Sequence, residues 1–280
     1  MTDFFDLMPS IYVSPKRHEF RQFLHAKSGL DLENSVDSFD FSSLIEENYS
    51  IDFPESIPFA SDPKWKDMPF GPVGTIETSG CVVLTTKVIL DYFGYSDISV
   101  EDITDFCVSR GYRMWKFPKL SKSLNLKEIS LENIKKEFPD NSEVLNSKTL
   151  SDLYQKFGKP VGIGGSVYFI DNLISVLSNE SEKLNVGYNT RIRKVNDLID
   201  NLKDGIPVPM RVNNRIYLDN PHKKGGHYVT LFAIKYGIAV VVDTSKEKGL
   251  YSLPFERLMQ AAIADPDLTC VWDFKPVKRR

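Results

Sequence analysis

A thiol, an imidazole and a carboxylate each occupy a position in this chain where folding could make them react. Cys81 follows Gly74-Thr75-Ile76-Glu77-Thr78-Ser79-Gly80. It opens the run Val82-Val83-Leu84-Thr85-Thr86-Lys87-Val88-Ile89-Leu90-Asp91-Tyr92-Phe93, which Gly94 can close with a left-handed cap. The spacing predicts a buried helix with the cysteine in its first turn. Partial positive charge at a helix N-terminus favours thiolate over thiol, about 1.4 kcal/mol per unit of pKa depression, and the thiolate is the nucleophile. A single cysteine beside an apolar helix also serves as a small core hydrophobe, so the nucleophilic reading needs a base.

His227 supplies one. It lies in Gly225-Gly226-His227-Tyr228-Val229-Thr230-Leu231-Phe232-Ala233-Ile234, and Ile238-Ala239-Val240-Val241-Val242-Asp243 follows after Lys235-Tyr236-Gly237. Two β-rich runs around a short loop predict an antiparallel hairpin. Folding it brings His227 and Asp243, sixteen positions apart, to the same open end. A carboxylate fixes the orientation and tautomer of an imidazole and stabilises its protonated form. Cysteine, histidine and aspartate then form a nucleophile, a base and an orienter. Each has a plainer alternative: a packing thiol, a strand histidine satisfied by a carbonyl, and an aspartate capping the turn at Thr244-Ser245. His222 competes for the role of base. His18 and His25 read as surface residues, and Asn213, Asn214 and Asn220 as members of a solvated loop.

On these residues the chain resembles papain-fold cysteine peptidases of the kind that process double-glycine leader peptides of bacteriocins, in their soluble stand-alone form. Three stretches carry the resemblance. The first is Asp62-Pro63-Lys64-Trp65-Lys66-Asp67-Met68-Pro69-Phe70-Gly71 with the Thr-Ile and Ser-Gly-Cys segment after it. The second is Leu198-Ile199-Asp200-Asn201-Leu202-Lys203-Asp204-Gly205-Ile206-Pro207-Val208. The third is the His227 to Asp243 hairpin with Tyr251-Ser252-Leu253-Pro254-Phe255. The resemblance implies an α+β, papain-like fold whose nucleophile helix packs against a C-terminal antiparallel sheet. It implies a bacterial thiol protease or amidohydrolase that cleaves a peptide or isopeptide bond through Cys81, His227 and Asp243 and a thioester. Two positions depart from the family. Val82-Val83 stands where Gly-Pro commonly follows the cysteine, and Thr75 stands where a glutamine usually lies six residues before it. The oxyanion donor stays open between Thr75 and backbone N–H groups around Gly80 and Cys81. A papain-like acyltransferase or transpeptidase, and an inactive papain-like module that binds a peptide, are the alternatives.

The surrounding elements are legible in outline. Ser99-Val100-Glu101-Asp102 and Thr149-Leu150-Ser151-Asp152 have capping-box spacing at the starts of helices, the first closing at Gly111. Further helices are predicted over 167–177 and 195–203, with the strands arriving only afterwards, as in an α+β fold. Residues 1–60 read as an acidic arm and 61–280 as the catalytic domain. Asp31 through Glu55 hold eight acidic residues and no basic one, with Phe39, Phe41, Leu44, Ile45, Tyr49 and Ile51 interspersed. The arm is read as packing irregularly on the domain surface or as a pro-region-like cover.

A chain of 280 residues, 41% hydrophobic and 26% charged, can bury about three quarters of its unfolded surface, which suits one large domain. A net charge of −3 gives no electrostatic case for nucleic acid or an anionic membrane, and the basic tail 275–280 reads as solvated. Three dispersed cysteines fit neither a disulfide framework nor zinc, so Cys107 and Cys270 read as packing residues and no metal or cofactor is expected. The acidic N-terminus does not resemble a secretory signal, and no run of eighteen apolar residues occurs. The expectation is a cytoplasmic protein, or one exported without a cleavable signal, whose partner is a peptide or protein substrate.

Overall fold

The structure, a computed structural model, describes residues 30–71, 74–109, 114–120, 123–124, 126, 129–163, 192–245, 249–264 and 271. The helix read over 167–177, the glycine at 111, His18, His25, Cys270 and the tail 275–280 lie outside them. The strands in chain order are β1 (Asn48–Ser50), β2 (Met114–Lys116), β3 (Ser123–Leu124), β4 (Val161–Ile163), β5 (Val208–Asn213), β6 (Gly226–Lys235), β7 (Ile238–Val242) and β8 (Leu250–Pro254). Mixed with helices, they form two antiparallel sheets, the composition of an α+β protein.

The larger sheet has the order β1-β6-β7-β8, with β5 also paired to β6. Strand β6 is its spine because ten consecutive residues with two alternating apolar faces can be buried on both sides. Tyr236 (φ +54°) and Gly237 (φ +76°) turn β6 into β7, a two-residue link of the twisted I′ kind. On one face Val208, Met210, Val212, Val229, Leu231 and Val241 pack against helices Val195–Lys203 and Phe255–Ile263. On the other, the helix Cys81–Tyr92 lies across β6, with Val88 in the same buried cluster as Phe232 and Val242.

The order "helices first, strands last" is corrected by the structure. Strand β1 comes from the acidic arm, and β3-β2-β4 form a small sheet in the middle of the chain. Strand β5 covers β6 only as far as Leu231, so the remaining edge at Ala233–Lys235 is free for β1 to pair with. Strands of two or three residues carry no readable alternation. The small sheet adjoins helices Leu131–Glu137, Ser142–Leu145 and Leu150–Phe157, whose Ile134, Val144 and Leu153 bury a separate cluster with Phe117, Leu120 and Phe157.

Both capping boxes form. Asp102 accepts from Ser99 N–H at 2.9 Å while Ser99 Oγ accepts from Asp102 N–H at 3.0 Å, and Thr149 and Asp152 exchange the equivalent bonds at 3.1 and 3.0 Å. Residues 51–60 of the arm run along the sheet: Ile51 joins the Val88–Phe232 cluster, Phe53 stacks on Phe232 at 5.4 Å, and Ala60 N–H donates to Thr244 O at 2.8 Å. Among the described residues no helix is long and apolar enough to cross a membrane.

Candidate active site

Cys81 is delivered by two helices joined at a tight corner. A four-residue helix, Ile76–Ser79, ends at Gly80, and the helix Cys81–Tyr92 starts at the next residue. A side chain at Gly80 would bring a carbon within 2.6 Å of the Ile76 carbonyl oxygen and 2.7 Å of its Cα, so the Ser-Gly-Cys corner can be this tight only with glycine. Thr85 Oγ1 donates to Tyr228 O at 3.3 Å and ties the helix to β6 one turn below the sulfur. The thiol is half-buried, whereas Cys107 is buried in the helix Val100–Ser109 as a packing residue.

A β-bulge sets where the acid meets the base. From Lys235↔Ile238 to Ala233↔Val240 the hairpin is in one register, but Leu231 lies opposite Val241, so Phe232 is an extra residue in β6. Continued past Thr230↔Val242, this register sets Asp243 opposite Val229, on the face that His227 shares two residues along. Without the extra residue Asp243 would face Thr230 and project from the other side of the sheet. His227 Nε2 and Asp243 Oδ1 are 2.7 Å apart, both side chains buried. His227 also hydrogen-bonds Cys81. With Nε2 held by the carboxylate, Nδ1 is the nitrogen left for the sulfur.

Three further donors fix the carboxylate. Tyr217 O–H donates to Oδ2 at 2.9 Å, and Ser245 donates to Oδ1 through its N–H at 2.9 Å and its hydroxyl at 2.6 Å. Asp243 therefore does both things foreseen as alternatives: it holds the imidazole and closes the turn at Thr244-Ser245. Tyr217 is fully buried at the end of the helix Asn214–Tyr217, which Asn213 caps by accepting from Arg215 N–H at 3.0 Å. Asn213 and Asn214 are thus helix-starting residues, a correction to the solvated loop read from their polarity. Tyr217 carries no sequence signal, because a tyrosine ten residues before the histidine belongs to no pattern; Ser245 is signalled only by the turn.

The electrostatics follow from these bonds. Burial works to raise the Cys81 thiol pKa, but the hydrogen bond and charge of His227, with the backbone N–H groups of Tyr228 and Val82, bring it below its ordinary value. Burial likewise works to lower His227, yet the bonds and charges of Asp243 and Cys81 raise it to about 10. Burial disfavours the Asp243 carboxylate, while His227 and Ser245 hold its pKa well below the usual range. Burial and the neighbouring Asp243 push the Tyr217 hydroxyl far up, so it stays a donor. These bonds favour the thiolate of Cys81, the imidazolium of His227 and the carboxylate of Asp243 over their uncharged or unpaired alternatives.

Thr75 is half-buried and caps the short helix Ile76–Ser79, its N–H donating to Thr78 Oγ1 at 2.9 Å. No contact places it with His227 or Cys81. His222 is exposed on its loop, its N–H bonded to Asn220 Oδ1 at 3.0 Å, and does not join the site. No group of three or more His, Cys, Asp or Glu side chains that could hold a metal ion occurs among the described residues. Compared with family models, with curated proteins and with solved structures, the chain finds no match.

Proposed function

We propose that this protein is a papain-like cysteine hydrolase that cleaves a peptide or isopeptide bond. One observation carries the reading: a half-buried thiol and a carboxylate hydrogen-bond the same buried imidazole, and the thiol's pKa is lowered despite burial. The thiolate attacks the substrate carbonyl. His227 then gives its proton to the leaving amine, which departs as a thioester forms on Sγ. Water attacks the thioester, neutral His227 takes its proton, and the C–S bond breaks to release the acid and restore the thiolate–imidazolium pair. Asp243 keeps the imidazole in one tautomer, and Tyr217 and Ser245 keep Asp243 in place. Charge on the tetrahedral oxygen falls to donors near the first turn of the Cys81–Tyr92 helix, with the Thr75 hydroxyl as the side-chain candidate.

The test is a set of cysteine variants assayed on a pool of quenched peptides. Cys81→Ala is expected to abolish cleavage with the fold intact by circular dichroism, and Cys107→Ala to keep most of it. Equal loss in both variants overturns the proposal.

A further inference from the structure

Thr85 sends its hydroxyl where a helix threonine ordinarily does not. Three threonines are fully buried in the described helices: Thr85 and Thr86 in Cys81–Tyr92, and Thr104 in Val100–Ser109. A threonine inside a helix commonly returns its hydroxyl to the carbonyl one turn back. Thr86 does so to Val82 O and Thr104 to Val100 O, both at 2.7 Å. Thr85 has the Cys81 carbonyl one turn back, yet it donates across the fold to Tyr228 O at 3.3 Å, 143 positions away in sequence. Valine has the same shape and would suit a helix in which Val82, Val83, Leu84 and Val88 are all buried, with no polar atom to satisfy. What threonine adds at this position is the bond.

Tyr228 meets the helix at two points. The N–H and C=O of one strand residue lie on the same side of the strand. The N–H of Tyr228 bonds the Cys81 sulfur, and its C=O accepts from Thr85. Cys81 and Thr85 are four residues apart, so they share a helix face about 6 Å apart along the axis. Tyr228 follows His227 directly, and the ladder between β6 and β7 ends at Thr230↔Val242, short of it. One residue of the base strand thus holds one turn of the nucleophile helix beside the imidazole. Among the described residues His227 is the charged side chain acting on the sulfur, with Asp243 behind it on the other ring nitrogen. The Thr85 bond is the one of the two that does not use the sulfur. It can therefore hold the spacing after the sulfur gives up its charge to a thioester.

We infer that Thr85 is a positioning residue: its hydroxyl latches the nucleophile helix to Tyr228 and so keeps Cys81 within reach of His227. This rests on the cysteine-hydrolase reading. The test is the pH midpoint of Cys81 alkylation by iodoacetamide, read by site-resolved mass spectrometry on the full chain, beside a urea denaturation curve for each variant. Thr85→Val keeps the shape and removes the hydroxyl. Its midpoint is expected to rise by about half a pH unit, the lower end of what one neutral hydrogen bond is worth, because the sulfur then sits less firmly against Tyr228 N–H and His227. Thr85→Ala, which fits any helix, repeats the measurement should valine pack poorly, and the same rise is expected. Thr85→Ser keeps the hydroxyl and loses a buried methyl group, so its urea midpoint is expected to fall while its alkylation midpoint stays at the wild-type value. Thr86→Val removes a hydroxyl of equal burial that bonds only its own helix, and it too is expected to leave the alkylation midpoint in place. Wild-type midpoints in both Thr85→Val and Thr85→Ala overturn the latch and leave the hydrolase standing, as does an equal rise in Thr85→Ser or Thr86→Val. A wild-type Cys81 that is alkylated like a free thiol overturns the hydrolase reading and the latch with it.

Discussion

Cys81 is subject to opposing effects that can be separated by removing one residue. Its thiol pKa lies below the ordinary value only because His227 and two backbone N–H groups outweigh burial. Thiolate therefore persists as pH falls below the usual thiol range. Site-resolved mass spectrometry of iodoacetamide labelling is expected to show an alkylation midpoint below that of a free thiol. In His227→Gln, burial is opposed by the backbone alone, and the midpoint is expected to move upward. The alkaline limit has another owner. His227 yields its proton near pH 10, so hydrolysis is expected to hold a plateau from the lowered thiol pKa to about pH 10 and then to fall. Tyr217→Phe removes one of the bonds to Asp243 and leaves the ring in place. The expected outcome is a loss in kcat of about fivefold, near 1 kcal/mol, with KM unchanged and the alkaline limb shifted down, because a less fixed carboxylate supports the imidazolium less well. An unchanged pH profile would make Tyr217 a packing residue only. Cys81, His227 and Asp243 were legible because each stands where a hydrophobic pattern begins or ends. Tyr217 and Ser245 were not, since the bonds that give them meaning span the fold.

Among the elements, those with long patterns were legible and those made by pairing were not. The β6–β7 hairpin, the Cys81–Tyr92 helix and the two capping boxes follow from periodicity and local hydrogen bonding, so their existence was readable from the chain. Strand β1 exists only because β5 stops at Leu231, and the bulge at Phe232 only because two strands of unequal count must match. Neither condition is written in a local window. The hairpin turn allows a direct check of the backbone. Tyr236 is 64% exposed with φ +54°, a conformation that asparagine adopts far more readily than a tyrosine. Tyr236→Asn is expected to raise stability by about 0.5–1 kcal/mol in urea denaturation and to leave hydrolysis unchanged, as the turn is at the far end of the hairpin from His227. A lower midpoint would mean that the tyrosine ring contributes more than its backbone costs.

The arm decides how large the cooperative unit of the whole molecule is. The sequence reads the arm as packing irregularly on the domain surface or as a pro-region-like cover, and the structure threads its residues 48–60 through the parts that position His227 and Asp243. Strand β1 pairs with the edge of β6, and Tyr236 N–H donates to Glu47 O at 2.8 Å. Ile51 and Phe53 cover Phe232 at the bulge that sets the register of Asp243. Ile57 packs against Gly249, whose carbonyl accepts from Asp243 N–H at 2.8 Å, and Ala60 holds Thr244. A chain beginning at residue 61 would uncover Phe232 and Val88 and leave the Asp243 turn without its outer support. Exposing buried side chains of this size costs about 1.5–3 kcal/mol each, comparable in sum with the stability of a typical domain. Such a truncation is expected to lose its cooperative urea transition, with Cys81 alkylation reverting to the profile of an ordinary thiol. A detachable cover would behave in the opposite way: the midpoint would hold, and alkylation and hydrolysis would rise as the cleft opened. Either result is read from one denaturation curve and one labelling profile on the same sample.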